Sequence, residues 1–323
     1  MKNYFLALGA CILLVSCSTG DAAMSRMMGG SSQALTFLNC QASALDELEF
    51  VFSQPVTITS INLEPEIPID SVENGSTIRI KLAENPQPGV LITADLVAED
   101  ERRNSINVLV TLRAKNDRMP ELVINELFTE YASKDEKTEY IELKMLTAGN
   151  LGAMRVFIIG NSTAARETIY EFSPVEVNSG EYVVIHLRTL NETSRNEYGT
   201  NLAESGGRYA SASARDFWIP GTTAKLFHKT AMVYVVNQED RILDAVMISE
   251  NPDSSWPREH FTETENLLLE KNAWNGIAAS SAGITATKSI SRDETAANTN
   301  SAADWYVTAT SGMTPGGRNN PKR

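Results

Sequence analysis

The sequence predicts an all-β protein: two β-sandwich domains in tandem behind a secretory leader and a flexible tether. Three observations carry this reading. Short apolar runs of five to eight residues recur along the chain, separated by Pro, Gly and Asn clusters. Alternation with period two is clean in Thr77-Ile78-Arg79-Ile80-Lys81-Leu82. The chain is 42% hydrophobic, enough to build a core, and only 21% charged. The divisions that follow are 1–16 leader, 17–33 tether, 34–118 first β-domain and 119–323 second β-domain.

The leader is Met1-Lys2-Asn3-Tyr4, an apolar run Phe5–Val15, and Ser16-Cys17. One positive charge, a short apolar stretch and a small-residue end make a secretory signal. The run is too short to cross the ~30 Å of a bilayer's hydrocarbon. Leu14-Val15-Ser16-Cys17 resembles the bacterial lipobox, which implies that Cys17 is joined to diacylglycerol, becomes the first residue and is then N-acylated. Two or three acyl chains hold stably where one holds marginally, at about 0.8 kcal/mol per buried CH₂. The expected location is therefore the cell envelope, lipid-anchored to a bacterial membrane, with the side left open. Residues 18–33 are small, polar and Gly-rich, the texture of a tether.

Cysteine usage fits that chemistry. Cys11 leaves with the leader and Cys17 carries lipid, so Cys40 remains alone and no intramolecular disulfide is expected. Within Leu38-Asn39-Cys40-Gln41 it reads as a small buried side chain. Charge excludes more. Forty-one acids against 28 bases leave a net −13, which repels phosphate backbones, so no nucleic-acid partner is expected. Loss of Lys2 with the leader makes the mature chain one unit more acidic.

In 34–118 the expected strands are Leu48–Phe52, Thr57–Leu63, Thr77–Leu82, Leu91–Val97 and Ile106–Leu112. The turns between them are Glu64-Pro65, Asn74-Gly75, Pro86–Gly89 and Glu99–Asn104. The order Glu49-Phe50-Val51-Phe52-Ser53-Gln54-Pro55-Val56, an Ile-rich strand, and Pro86-Gln87-Pro88-Gly89 before another strand resembles bacterial Ig-like domains of surface proteins. These are generic turn and strand signals, covering about a quarter of the chain.

After the charged joint Lys115–Pro120 come Leu122–Phe128, a loop Thr129–Lys137, Glu139–Leu143, Arg155–Ile159, Thr168–Phe172, Asn178–His186, Met232–Val236, a turn Asn237–Arg241 and Ile242–Ile248. Val123-Ile124-Asn125-Glu126, Glu139-Tyr140-Ile141-Glu142-Leu143, Ser179-Gly180-Glu181-Tyr182-Val183-Val184-Ile185 and Ile242-Leu243-Asp244-Ala245-Val246 stand in that order. Ser289-Ile290-Ser291-Arg292, Ala303-Asp304-Trp305 and Thr314-Pro315-Gly316 close the series. Together they resemble the lamin-tail domain, an Ig-like β-sandwich. The resemblance implies an Ig-like sandwich for 119–323, with Glu126 and Glu142 as framework positions and Trp305 in the core, and with the first domain it makes two Ig-like sandwiches in tandem. Two departures stand out: Leu151-Gly152-Ala153-Met154 replaces the family's Gly-Trp, and residues 188–217 are a longer connection than usual. A connection of that length is either functional or loosely held, and it is the expected place for specialised binding. A short helix is expected where Thr262-Glu263-Thr264-Glu265 has capping-box spacing ahead of Leu267-Leu268-Leu269.

Chemistry-bearing constellations are few. Three Cys and three His leave little for a zinc site. Glu126, Glu139 and Glu142 could meet if the second domain's first strands pair, but Glu139 and Glu142 point to opposite faces of a strand. The Asp-rich spacing of a calcium loop is absent. His186 sits inside an apolar strand, His228 and His260 lack an evident Asp or Ser partner, and no Gly-x-Ser-x-Gly, His-Glu-x-x-His or Walker pattern occurs. No catalytic residue, metal or cofactor is expected. Trp218, Trp256 and Trp274 offer aromatic area for a sugar face. Trp218 and Trp256 are the candidate partner-binding residues, although core packing or loop anchoring is the simpler role for Trp218.

The expected function is a non-catalytic binding or scaffolding module for an envelope protein or glycan, held at a membrane. An accessory or catalytic subunit of an extracellular hydrolase or nuclease, and a carbohydrate-binding adhesin, are the alternatives.

Overall fold

The computed structural model describes residues 34–129, 139–160, 166–226 and 229–321. The leader, Cys17, the tether, most of the Thr129–Lys137 loop and His228 lie outside the described residues. The chain is predominantly β and divides into two compact units, one holding the described residues up to 115 except 88–90, the other holding 88–90 and the described residues from 116 on.

The first unit is one six-stranded antiparallel sheet of β1 (Phe37–Ala44), β2 (Glu47–Glu64), β3 (Ile69–Glu73), β4 (Gly75–Leu82), β5 (Leu91–Asp100) and β6 (Ser105–Arg113). Its order is β3-β4-β2-β5-β6, with β1 also on β2. The two strands expected at 48–52 and 57–63 are a single strand of 18 residues. The first half of β2 pairs with β1 and β4, and the second half pairs with β5. Pro55 stands at the handover, where the β4 register shifts between Val51 and Val56. A residue with no N–H to give is accommodated there without breaking a ladder. Alternate side chains, Leu48, Phe50 and Phe52, Ile78, Ile80 and Leu82, Ile92, Ala94 and Leu96, are buried, each large one worth about 1.5–3 kcal/mol. Cys40 is half-buried on β1. Asp100 ends β5 by accepting from Arg102 N, Asn104 N, Asn104 Nδ2 and Gln54 Nε2. Burial works to raise its pKa, but those donors outweigh it and hold the carboxyl below the usual range.

The second unit contains β7 (Leu122–Phe128), β8 (Tyr140–Met145), β9 (Gly149–Asn150), β10 (Arg155–Gly160), β11 (Glu167–Glu171), β12 (Glu176–Val177), β13 (Tyr182–His186) and β14 (Ala214–Trp218). It continues with β15 (Ala231–Val236), β16 (Ile242–Ser249), α1 (Glu259–Glu270), β17 (Ala279–Ser280), β18 (Ile290–Arg292) and β19 (Trp305–Val307). One large sheet runs β11-β10-β15-β16-β17 and the other β14-β13-β8-β7-β18-β19, with β12 and β9 forming a separate two-stranded pair. Ile141, Leu143, Val183, Ile185 and Phe217 of the second sheet share one core with Val156, Ile158, Val233, Val235 and Val246 of the first. Leu151 and Met154 fill the same core.

Two expectations are corrected. The 188–217 connection is not wholly irregular: its end is strand β14, parallel to β13. Helix α1 begins at Glu259 with Arg258 as N-cap and no side-chain cap, so Thr262 and Glu265 lie inside it. Burial of Phe261 and Leu268, seven residues apart on one face, positions the helix instead of a capping box.

Candidate functional site

The outer face of the six-stranded sheet in the second unit concentrates the unusual chemistry. Outer faces of antiparallel sandwiches are ordinarily wetted, but here they are covered. Register sets two rows across neighbouring strands. Ser291, Glu126, Glu142, Val184 and Asp216 form one row, and Phe128, Tyr140, His186 and Trp218 the next. A register shift between Ile124 and Glu126 turns the Glu126 carboxylate into the first row. Val184 excepted, these are polar or aromatic residues, and Glu126, Glu142, Tyr140, His186 and Asp216 are all fully buried.

The cover over the first row is the segment beyond β19. Glu126 accepts from Tyr140 Oη at 2.6 Å, Ser289 Oγ at 2.6 Å, Ser291 Oγ at 2.8 Å and the Thr314 N–H at 3.1 Å. Glu142 accepts from Asn125 Nδ2 at 2.8 Å and the Gly316 N–H at 2.6 Å. Asn319 N donates to Glu294 Oε1, and Asn319 Nδ2 to Asn125 O and Arg292 O. Burial pushes the Glu126 carboxyl up, with the hydroxyl donors opposing it. Burial and then the charge of Glu126 push Glu142 well above the carboxylate range. Two carboxyls so placed each make the other harder to ionise.

The cover over the second row is the segment 187–213, which is fixed from within. Glu197, fully buried, accepts from Glu204 N, Ser205 N and Asp216 N. Asn196 Oδ1 accepts from Trp218 N at 2.7 Å. These two side chains satisfy N–H groups of β14 on the side away from β13, where a bare edge would invite another strand. Arg215 donates to Glu197 O, Gly199 O and Glu181 Oε1. Gly207 has φ +110°, and a Cβ there would stand 2.8 Å from the Trp218 ring, so only glycine lets the segment lie this close.

His186 joins the two rows. Its Nε2 is 2.7 Å from Asp216 Oδ1, and its ring stacks on Trp218 with centroids 3.7 Å apart. Burial lowers its pKa, with Asp216 opposing, so the ring is neutral and Nε2–H donates. Ser211 N donates to the other Asp216 oxygen. A His–Asp pair closed in this way holds a tautomer and orients an indole.

The residues singled out from sequence separate accordingly. Glu126 and Glu142 meet. Glu139 stands elsewhere, receiving Arg188 Nε at 2.8 Å and Lys225 N at 3.0 Å. Trp218 is 5% exposed, its Nε1 donating to Ser205 Oγ, and offers a partner little surface. Trp256 is half-buried, stacked on Phe261 at 5.5 Å. Trp274 and Trp305 are buried. Asp216, Glu197 and Arg215 were not anticipated, because Asp216 and Arg215 sit on the unforeseen β14; the five residues Ala214–Trp218, mixed in polarity, gave no alternation to find. Among the described residues no group of three His, Cys, Asp or Glu is placed to hold a metal ion.

Residues 120–307 match the family model described as "TP_1001_2nd: protein second domain". A protein of uncharacterised function from Treponema pallidum (strain Nichols) is 25% identical over 214 residues. That alignment covers 62% of this chain and 52% of the relative, so the chain spans about half the length of the curated protein it matches. A crystal structure of a DUF4876 family protein from Bacteroides thetaiotaomicron VPI-5482 aligns over 83% of this chain and 94% of that one, with 11% identity and a TM-score of 0.33.

Proposed function

We propose, for a chain that belongs to this second-domain family, that it is a non-catalytic binding or scaffolding module of the cell envelope, tethered by acyl groups on Cys17. The observation that carries the reading is the 187–213 segment. It is immobilised from below by Glu197, Asp216 and Arg215, while its outward side is polar with an aromatic: Glu192, Thr193, Arg195, Tyr198, Asn201 and Arg208 are exposed, Tyr198 by half. Tyr, Ser, Gly and Asn on a rigid frame supply adaptable contacts at low ordering cost. Such a surface suits an envelope protein or a glycan. The lamin-tail likeness belongs to the same reading: both units would be Ig-like sandwiches, and the second would present its loops from an anchored stalk.

Purification of the native protein from its own envelope tests this, comparing wild type with Tyr198→Ala/Arg195→Ala. The expected results are an acylated N-terminal peptide at Cys17 and a cross-linked partner or bound glycan that the double variant loses while keeping its circular dichroism. An unacylated protein refutes the anchoring. Identical partners for both forms refute the loop assignment. EDTA-sensitive cleavage of nucleic acid or polysaccharide by the wild type would favour the hydrolase alternative.

A further inference from the structure

The segment after β19 is attached unlike a terminal loop. Gly312, Gly316 and Asn319 are buried, while Ser311, Arg318 and Asn320 face outward. Its backbone N–H groups at 314, 316 and 319 each donate to a different carboxylate: Glu126, Glu142 and Glu294. The Gly316 carbonyl receives Ser213 Oγ at 2.9 Å, Asn320 Nδ2 donates to Gly312 O, and Tyr306 Oη donates to Asn320 O. At Gly316 φ is +76°, and a Cβ would stand 2.4 Å from Ser211 Oγ and 2.8 Å from Ala214 Cβ. The segment is a strap that turns at Thr314–Gly317 and lies over two carboxylates that occupy partnered positions on β7 and β8. Side chains so paired lie about 5 Å apart at Cβ. Beneath it Phe128, Tyr140, Val184 and Ala214 form an apolar patch, with Met313 of the strap packed on it.

We propose that residues 311–320 are a releasable strap, clamped over the outer face of this sheet while the Glu126–Glu142 pair holds a proton and let go when both carboxylates ionise. The physical reason is hydration. Two like charges in a dry site repel, and lifting the strap lets water reach both. The two N–H donors of the strap partly offset this. With the strap on, burial holds the pair's titration above the ordinary range; with the strap off, the pair titrates normally. A group whose closed-state value is raised favours the closed state at low pH, and that preference is lost as pH rises through the raised value.

Neighbouring titratable groups stand on every packed element: Tyr140 and Lys144 on β8, Tyr182 and His186 on β13, Asp216 on β14, Glu294 beyond β18, Tyr306 on β19 and Tyr209 in the covering segment, while Arg318 on the strap faces outward. Burial holds Tyr140 and Tyr182 above the usual tyrosine value and Tyr306 at about 12. Burial would discharge Lys144, but Glu294 keeps it protonated, and Lys144 and Asn319 N–H keep Glu294 ionised against the same effect. His186 is already neutral above about pH 6.5. Among these described groups the pair is the one whose carboxyls are shifted upward.

Hydrogen exchange of the full chain between about pH 6.5 and 9, expressed as protection factors so that intrinsic base catalysis is removed, tests the strap. Amides of 314, 316 and 319 are expected to lose protection by about tenfold or more, while Val183 and Ile185 in the core keep theirs. In Glu142→Gln, and independently in Glu126→Gln, the loss is expected to shrink to about twofold or less. Strap protection that is flat in wild type overturns the proposal, and so does a loss shared equally by the core amides. A fall as steep in either folded variant as in wild type also overturns it.

Discussion

Arg292 lies in the core with its Nη2 2.7 Å from Asp244 Oδ2, its Nε on Ile124 O and its guanidinium 4.8 Å from the Trp305 ring centroid. Asp244 accepts in addition from Ile124 N. Burial pushes the Asp244 carboxyl up, with Arg292 opposing. Removing the cation leaves a carboxylate with no water and no counter-charge. Arg292→Ala should therefore cost about 3–5 kcal/mol in urea denaturation, the range for breaking one side of a buried pair. Arg292→Met combined with Asp244→Asn should recover most of that, because the cost lies in the stranded charge rather than in the lost attraction. A double variant no better than the single one would place the energy in packing against Trp305 instead.

Elements whose determinants are local were legible in the sequence, and those fixed from a distance were not. β4 shows its alternation in six residues, and β15, its turn and β16 are written out between Met232 and Ile248. β2 was read as two strands because Pro55 is locally a breaker. It survives because partners change there, a fact that belongs to β4 and β5. β14 was missed because its burial comes from Glu197, Asn196 and His186, which lie 19–30 residues from the residues they meet. Glu126 and Glu142 read as ordinary outward-facing strand acids. What buries them is a strap 174–188 residues downstream, and no window of sequence contains both. The strap itself depends on glycine at one position. Gly316→Ala places a methyl against Ser211 and Ala214 at positive φ, and should cost about 1–3 kcal/mol, the usual range for a residue forced into that region. Proteolysis at 311–320 in the folded state should accelerate accordingly, while Gly180→Ala, with open space around its Cβ, serves as the control for positive φ alone.

At the scale of the whole molecule, opposite titrations bound the stable range from two sides. On the acid side stands His186. Its folded pKa lies below the ordinary 6.5, so the folded state refuses a proton that the unfolded chain accepts. Its contribution is complete above about pH 6.5 and is lost as pH falls through the lowered folded value. Asp100 and Glu294, held below their ordinary values, add a further loss only in stronger acid. On the alkaline side stand Glu126 and Glu142, whose folded values are raised. Their contribution is complete below about pH 4.5 and is lost as pH climbs through the raised values. A net charge of −13 deepens that second decline, since each proton lost adds repulsion to an already acidic chain. Stability plotted against pH should therefore form a dome with its crest in mild acid, and two variants should each cut away one side of it. His186→Gln keeps a donor for Asp216 but cannot titrate, so the decline between about pH 6.5 and 5 should flatten while the alkaline limb stays. Glu142→Gln should do the reverse, raising the midpoint at about pH 8 and leaving the acid limb in place. Urea midpoints across the pH series for the three proteins decide it: limbs that move together in either variant would mean that the two rows titrate as one coupled network.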